Sequence, residues 1–262
     1  MKIVVCIKQV PGTTDVEVDP KTGVLKRDGV DSKLNPYDLY ALETAMRIKH
    51  GHGATVQAIT MGPPQAAQVL REAYMMGVDE AVLLTDRKFA GADVLATAYA
   101  LSQGIRQSGM PDLIICGKMT TDGDTAQVGP EIAEFLDLPH VANVLRILEV
   151  GAEAITVEMD MAATVEIAKV QYPCLITVEK GICQPRLPSF RLKLATRDRA
   201  VAQLTLADLA DADAGHYGLN GSPTQVKRIF PPEVNADHEM WTGTGPDLAA
   251  RLGERLQQLK FV

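Results

Sequence analysis

Apolar and polar positions follow two different rhythms along this chain. In the first half, short and almost wholly apolar runs recur at Ile3 to Ile7, Val56 to Thr60, Ala81 to Leu84 and Leu113 to Cys116. Such runs predict strands buried on both faces of a parallel sheet. Helical spacing fills the gaps between them. Asn35 and Pro36 supply an N-cap and a proline at the first helical position. Leu39, Leu42, Ala45, Met46 and Lys49 then line one face until Gly51-His52-Gly53. A second helix runs through Tyr74-Met75-Met76 and stops at Gly77, and a third runs from about Asp93, its cap, to Gln107. Val16 to Leu25 reads as a hairpin with an Asp-Pro-x-x-Gly turn, and Thr85 to Ala92 as a loop. Strand, loop and helix repeating as far as Leu136 predict an α/β fold with a doubly wound parallel sheet.

After Pro139 the rhythm changes. Asn143 to Val150, Ala154 to Glu158, Thr164 to Val170 and Leu175 to Val178 read as strands without intervening helices, extending the sheet or forming an antiparallel edge. From Cys183 onward core-like periodicity fades, and Ala207 to Ser222 is rich in small residues. Leu248, Leu252, Leu256 and Leu259 then mark an amphipathic helix whose apolar stripe needs a cover. The expected organisation is an α/β nucleotide-binding domain over residues 1–182 and a C-terminal extended arm over 183–262. That arm packs on a partner subunit, or its helix packs back on its own core.

Composition narrows the functions. The chain has 262 residues, 46% of them hydrophobic and 23% charged, with a formal net charge of −7. That acidity argues against nucleic acid as a partner, because neutralising phosphates needs a basic surface. No apolar run approaches the ~20 residues of a membrane span, so membrane insertion is not expected. Cys6, Cys116, Cys174 and Cys183 show no Cys-x-x-Cys spacing, and three lie in apolar runs. They read as buried thiols in a reducing, cytoplasmic setting, with no metal site.

The candidate chemistry lies in loops that leave the strands. After Leu113 to Cys116 comes Gly117-Lys118-Met119-Thr120-Thr121-Asp122-Gly123-Asp124-Thr125-Ala126-Gln127-Val128, with Asp124 or Thr125 able to cap a helix running to about Leu136. A strand, a small-residue loop and a helix start leave backbone N–H groups free to bind an anion, so this stretch is a candidate phosphate seat. It is no Walker loop, since the upstream glycine is missing and Met119 replaces Ser or Thr. Asp122-Gly123-Asp124 fits neither a phosphatase nor a calcium loop by spacing. The other loops at the strand ends hold Lys8-Gln9, Met61-Gly62 and Asp86-Arg87-Lys88-Phe89-Ala90-Gly91, and the helix start at Asn35 to Asp38 lies close by. Gly62 and Gly91 allow close backbone approach, while Gln127 and Asn35 can read a purine edge or a ribose hydroxyl. No Gly-x-Gly-x-x-Gly follows the first strand, and no Ser–His–Asp, Cys–His or paired-carboxylate arrangement stands out. A nucleotide cleft without catalytic side chains implies that a cofactor carries the chemistry.

Several of these segments together resemble the beta subunits of electron-transfer flavoproteins. They are Val5-Cys6-Ile7-Lys8-Gln9-Val10-Pro11, Asn35-Pro36-Tyr37-Asp38-Leu39-Tyr40-Ala41-Leu42-Glu43, Met61-Gly62-Pro63-Pro64, Asp122-Gly123-Asp124-Thr125-Ala126-Gln127-Val128-Gly129-Pro130 and Pro185-Arg186-Leu187-Pro188-Ser189. The resemblance implies an adenine nucleotide alpha hydrolase-like fold, an alpha-subunit partner and a C-terminal arm that wraps it. Leu84-Thr85-Asp86-Arg87, Phe89-Ala90-Gly91-Ala92-Asp93 and Asp122 to Thr125 resemble the bifurcating, nitrogen-fixation-associated members. Those hold FAD where ordinary members hold AMP, and reduce it with NADH. By that resemblance Cys6, Lys8, Gln9, Asn35, Tyr37, Asp38, Met61 and Gly62 belong to the cofactor site. Asp86, Arg87, Phe89, Ala90 and Gly91 lie beside the flavin ring. Thr121, Asp122, Gly123, Asp124, Thr125, Ala126, Gln127 and Val128 bind the pyrophosphate and AMP half. Arg186 and Phe190 face a docking partner, an acyl-CoA-type dehydrogenase or a quinone- or ferredoxin-linked acceptor. The rival readings are an ordinary beta subunit with structural AMP and a stand-alone ATP- or AMP-binding module.

Overall fold

A computed structural model describes residues 1–12, 32–227 and 238–262. The hairpin expected at Val16 to Leu25 lies outside the described residues. The chain divides into two units, one of residues 1–17 and 25–227, the other of residues 18–24 and 228–262.

In the first unit the chain runs β1 (Lys2–Cys6), β2 (Gln9–Pro11), β3 (Ser32–Leu34), α1 (Pro36–His52), β4 (Thr55–Met61), α2 (Ala67–Met76), β5 (Glu80–Leu84), α3 (Val94–Gln107), β6 (Leu113–Gly117) and α4 (Val128–Leu136). It continues with β7 (His140–Val150), β8 (Ala154–Asp160), β9 (Val165–Gln171), β10 (Cys174–Val178), α5 (Phe190–Ala195) and β11 (Ala202–Leu204). Nine strands form one sheet in the order β11-β5-β4-β1-β6-β10-β7-β8-β9, and β2 and β3 pair separately. The seven strands from β11 to β7 are parallel, and β8 and β9 add an antiparallel edge. The doubly wound α/β reading therefore holds.

Side-chain alternation along the central strands builds a core on each face. Ile3 and Val5 of β1 face one layer with Leu42 and Met46 of α1 and Leu70 of α2. Val4 and Cys6 face the other, with Ala98, Leu101 and Ile105 of α3 and Ile132 of α4. Both faces of β1 are thus covered by helices, which is why the strand reads as continuously apolar. The antiparallel edge is different, because Val165 and Ile167 of β9 are exposed. Both possibilities for the strands after Pro139 are realised together. β10 inserts parallel between β6 and β7, while β8 and β9 close the edge.

The stretch after Cys183 contributes more to this unit than its small residues suggest. β11 pairs parallel with β5, and Leu206, Leu209 and Tyr217 are buried in the core that α3 and α4 share. The second unit holds α6 (Gly245–Gln258), which buries none of its residues; Leu252, and Leu259 just past its end, are half-exposed. Within it Arg251 lies over the Trp241 ring, 4.8 Å from its centroid. Among the described residues, no helix is long and apolar enough to cross a membrane.

The tightest approach in the fold is at Gly117, the last residue of β6. A Cβ there would stand 2.5 Å from Asp38 Oδ1 and 2.7 Å from the Tyr37 carbonyl carbon. Only a glycine lets the start of α1 sit on the end of β6. Gly117→Ala is therefore expected to cost about 1–3 kcal/mol, the usual range for overpacking. Urea unfolding followed by far-UV circular dichroism measures this, and an unchanged midpoint would show that the contact yields freely.

Candidate functional site

The winding of the sheet selects a crevice. From β1 the chain crosses to β4 and then β5 on one side, while β6 adds on the other side of β1. The carboxyl ends of β1 and β6 are the point where the winding reverses, the usual place for a ligand in an open parallel sheet. Because β5, β4, β1 and β6 are parallel, the loops after them line one edge, in the order Asp86–Gly91, Met61–Gly62, Lys8–Gln9 and Lys118–Val128. Three strand spacings give this row a length of roughly 14 Å.

At the crevice the loops are tied to one another by polar contacts. Asp38, buried at the start of α1, accepts a 2.7 Å hydrogen bond from the Lys8 amide. The Lys8 ammonium lies 2.8 and 2.9 Å from the carboxylate oxygens of Asp122, which joins the loop after β1 to the loop after β6. Asn35 occupies the N-cap position of α1, as its place before Pro36 predicts, but its side chain does not cap the helix. Instead Asn35 Nδ2 donates to the Met119 carbonyl at 2.9 Å, and its Oδ1 accepts from the Thr121 amide at 3.3 Å. The amide of Asp38, which a capping side chain would engage, donates instead to the Asn35 backbone carbonyl at 3.0 Å, and the carboxamide serves the neighbouring loop. Cys6 and Cys116 are register partners on β1 and β6 and are buried beneath the crevice. The adjoining Cys6 thiol and then burial push the Cys116 thiol well above its ordinary range, which leaves it a poor nucleophile.

The anion seat differs from its sequence reading in one respect. The helix expected from Asp124 or Thr125 begins at Val128, with Gln127 at the N-cap and no side chain capping it. Asp124 and Ala126 both have a φ of 57°, so the chain cannot be helical there. The Asp124 amide donates to the Thr120 carbonyl at 2.9 Å, while left-handed Ala126 is followed by right-handed Gln127, a pair of the kind that builds anion-binding nests. Thr121 to Gln127 are exposed and Val128 is half-buried. The carboxylates of Asp122 and Asp124 would repel a phosphate, and Lys8 offsets the first. Burial opposes ionisation of Asp122, but the hydrogen bond and charge of Lys8 outweigh it and hold the carboxyl below its ordinary range. The pair is half-exposed and worth less than about 1 kcal/mol, so an incoming anion can compete for Lys8 at small cost.

At the far end of the row the residues divide. Arg87 is exposed, and its guanidinium makes no hydrogen bond or ion pair among the described residues. Ala90 and Gly91 are also exposed, with Gly91 at a φ of 74°. Phe89 turns inward, is only 5% exposed and lies 5.4 Å from the Tyr217 ring, so it belongs to the core and not to the open side of the loop. Asp86 folds back to accept from the Lys88 amide at 3.0 Å and the Leu206 amide at 3.2 Å. Met61, Gly62, Gln9 and Tyr37 are half-buried along the edge. Of the two residues assigned to a partner, Phe190 is 72% exposed, but Arg186 is engaged internally. Its guanidinium grips Glu43 at 2.6 and 3.2 Å, a forked ion pair that sequence spacing did not suggest.

Three further residues emerge only in three dimensions. Gly117 is a single glycine at a strand end, a position without a distinguishing local signal. Glu131, on the first turn of α4, has a buried Oε2 with no hydrogen-bond partner among the described residues, and Thr60 Oγ1 near the end of β4 is in the same state. Burial first, and then the Asp93 charge, raise the Glu131 pKa. An acidic residue in a helix first turn is the only hint its sequence offers.

Asp38 gives the crevice a pH dependence. Burial is the largest influence and lifts its pKa from 3.8 to about 7, against the Asn35 side chain and the amide and charge of Lys8. The folded chain keeps this proton where the unfolded chain has lost it. The resulting stabilisation is complete below pH 3.8 and is lost as the pH rises through about 7. Asp38→Asn should flatten that slope, by at most about 1.4 kcal/mol per pH unit. Denaturant unfolding at steps across the window checks it; equal slopes for both proteins would contradict the assignment.

The chain as a whole is similar to known proteins. Residues 22–209 match the electron transfer flavoprotein domain. The electron transfer flavoprotein subunit beta of Thermoanaerobacterium thermosaccharolyticum is 44% identical over 256 residues, 98% of each chain. CarD of Acetobacterium woodii, a subunit of a caffeyl-CoA reductase-Etf complex, is 44% identical over 264 residues and 100% of each chain. Protein FixA of Sinorhizobium fredii is 44% identical over 238 residues, 88% of this chain and 84% of its own. The likeness extends over the sheet, the crevice loops and the residues beyond Cys183 alike, and the chain belongs to the electron transfer flavoprotein family as a beta subunit.

Proposed function

We propose that this beta subunit holds FAD along the carboxyl edge of β5, β4, β1 and β6. Paired with an alpha subunit, it passes electrons between NADH or flavin dehydrogenases and further acceptors by flavin-based bifurcation. The observation that carries the reading is the uncapped start of α4, preceded by two left-handed residues at the reversal of the sheet and faced by Lys8. The length of the row adds to it. A mononucleotide at the β1–β6 crevice would leave the β4–β5 end bare, whereas a flavin dinucleotide has a second ring to place there.

When bound, FAD supplies a ring that accepts and releases electrons one or two at a time. The residues of this chain seat the phosphates, orient the ring and set the charge beside it. Thr121 to Val128 and Lys8 take the phosphate half, with Asn35 fixing that loop through Met119 and Thr121. Arg87, exposed beside Lys88 at the far end of the row, is a cation that favours a reduced, negatively charged ring. The apolar side chains of Leu187, Phe190 and Leu194 are 87, 72 and 60% exposed, which fits a docking surface for a dehydrogenase. CarD belongs to a complex with a CoA-ester reductase, and we carry that class of partner over to this chain.

Nucleotide content decides the central point. The chain co-purified with its alpha partner and denatured should release two FAD per heterodimer. One FAD with one AMP would mean an ordinary beta subunit with structural AMP, and ATP on an isolated homo-oligomer would overturn the electron-transfer reading. In the two-FAD complex, Arg87→Ala should lower the potential of the flavin bound here. A spectroscopic reductive titration that matches wild type would remove Arg87 from that role.

A further inference from the structure

The stretch between β11 and Thr224 has no part in the function proposed above, yet it touches the Asp86–Asp93 loop at almost every turn. β11 extends the sheet beside β5, and the Thr85 amide donates to the Leu204 carbonyl at 2.9 Å. The Leu206 amide then donates to Asp86 Oδ2 at 3.2 Å. Tyr217 is buried against Phe89, and the Leu219 amide donates to the Ala90 carbonyl at 3.0 Å. Gly91 is held so close that a Cβ there would stand 3.3 Å from Leu219 Cβ.

The contacts converge on Asp93. Its backbone amide donates to Ser222 Oγ at 2.8 Å, and Ser222 in turn donates to the Gly218 carbonyl at 2.7 Å. One carboxylate oxygen accepts from the Ala96 amide at 3.1 Å and caps α3. The other accepts from the Thr224 amide at 3.0 Å and the Thr224 hydroxyl at 2.7 Å. Burial opposes ionisation of Asp93, but the hydrogen bonds from Thr224 and Ala96 prevail and hold its carboxyl below the ordinary range. The middle of the stretch is anchored separately. Tyr99 of α3 donates to Asp211 Oδ2 at 2.5 Å, and the Tyr217 hydroxyl donates to the Asp211 carbonyl at 2.6 Å. With both ends and the middle fixed, the loop after β5 cannot shift unless this stretch shifts with it.

We propose that residues 202–224 form a strap that sets the position of the Asp86–Asp93 loop, with Ser222 and Thr224 as positioning residues acting through Asp93. The strap thereby fixes where Arg87 and Gly91 stand at the cofactor edge, a consequence that rests on the FAD reading above. An N-cap alone would require only Asp93 Oδ1 and Ala96. The second carboxylate oxygen and the Asp93 amide are both spent on the strap, at the end of the loop that carries the exposed Arg87.

Thr224→Val tests this, since it deletes the hydroxyl and keeps the backbone amide and the side-chain volume. Thr224→Ser is the rescue, and Ser222→Ala is an independent second variant should the first fold poorly. Hydrogen exchange on the full chain without nucleotide should show amides 87–92 exchanging roughly tenfold faster or more in Thr224→Val and Ser222→Ala. Exchange should be near wild type in Thr224→Ser, with β7 and β8 unchanged in all three. Unchanged exchange over 87–92 would overturn the strap. In the complex with the alpha subunit, the visible circular dichroism of the flavin bound to this chain should change in Thr224→Val. Faster exchange with an unchanged flavin spectrum would overturn the link from the strap to the cofactor, with the FAD assignment intact. A complex without FAD on this chain would overturn that assignment, while the exchange data would still judge the strap.

Discussion

The buried carboxylate of Asp38 is the contact on which the crevice depends. It receives the Lys8 amide from the end of β1 and lies against Gly117 at the end of β6, so one side chain fixes both lips of the opening. Everything that follows is local. Once Lys8 is held by its backbone, its ammonium reaches Asp122, and once α1 begins at Pro36, the Asn35 side chain is free to hold Met119 and Thr121. A buried acid resists ionisation unless it is well supplied with donors, so the arrangement is sensitive to pH in the range where Asp38 titrates.

Much of this architecture is legible in the chain itself. Runs such as Ile3 to Ile7 and Leu113 to Cys116 have no polar face, and that feature alone requires helices on both sides of the strands. The Asn35-Pro36 pair and the Gly77 stop mark their helix ends for stereochemical reasons that operate within a few residues. Legibility fails where a residue's role is decided by a distant partner. Arg186 resembles a surface recognition residue, but Glu43, far back on α1, takes both sides of its guanidinium. Phe89 has the composition of an exposed loop aromatic, and only the arrival of Tyr217 from much later in the chain draws it inward.

The start of α4 shows the opposite difficulty, where a local signal is present and misleads. Asp124 and Thr125 are good capping residues, but two left-handed residues in the loop delay the helix to Val128. The delay has a chemical consequence. A helix capped by its own carboxylate would have satisfied the amides and repelled an anion. By starting late, without a side-chain cap, the helix leaves its positive end free of a capping carboxylate, as the proposed phosphate seat requires.

Charge bears on the ligand proposed for that end. The protein is acidic overall, and the seat contains two aspartates, so long-range attraction does not gather phosphates here. Binding must come from short-range geometry: backbone amides, one lysine already partnered to Asp122, and the length of the edge. Such a site discriminates by shape and by the number of groups engaged. A single phosphate meets two carboxylates for a few amide bonds, whereas an adenine nucleotide also has a base and a ribose with which to fill the crevice. The same logic underlies the proposal of an extended dinucleotide over a mononucleotide, because each added group would find another loop of the row. Those loops follow different strands but are held to a common scaffold, the centre through Asp38 and the far end through Asp93, so the proposed long ligand would meet them as one preformed surface.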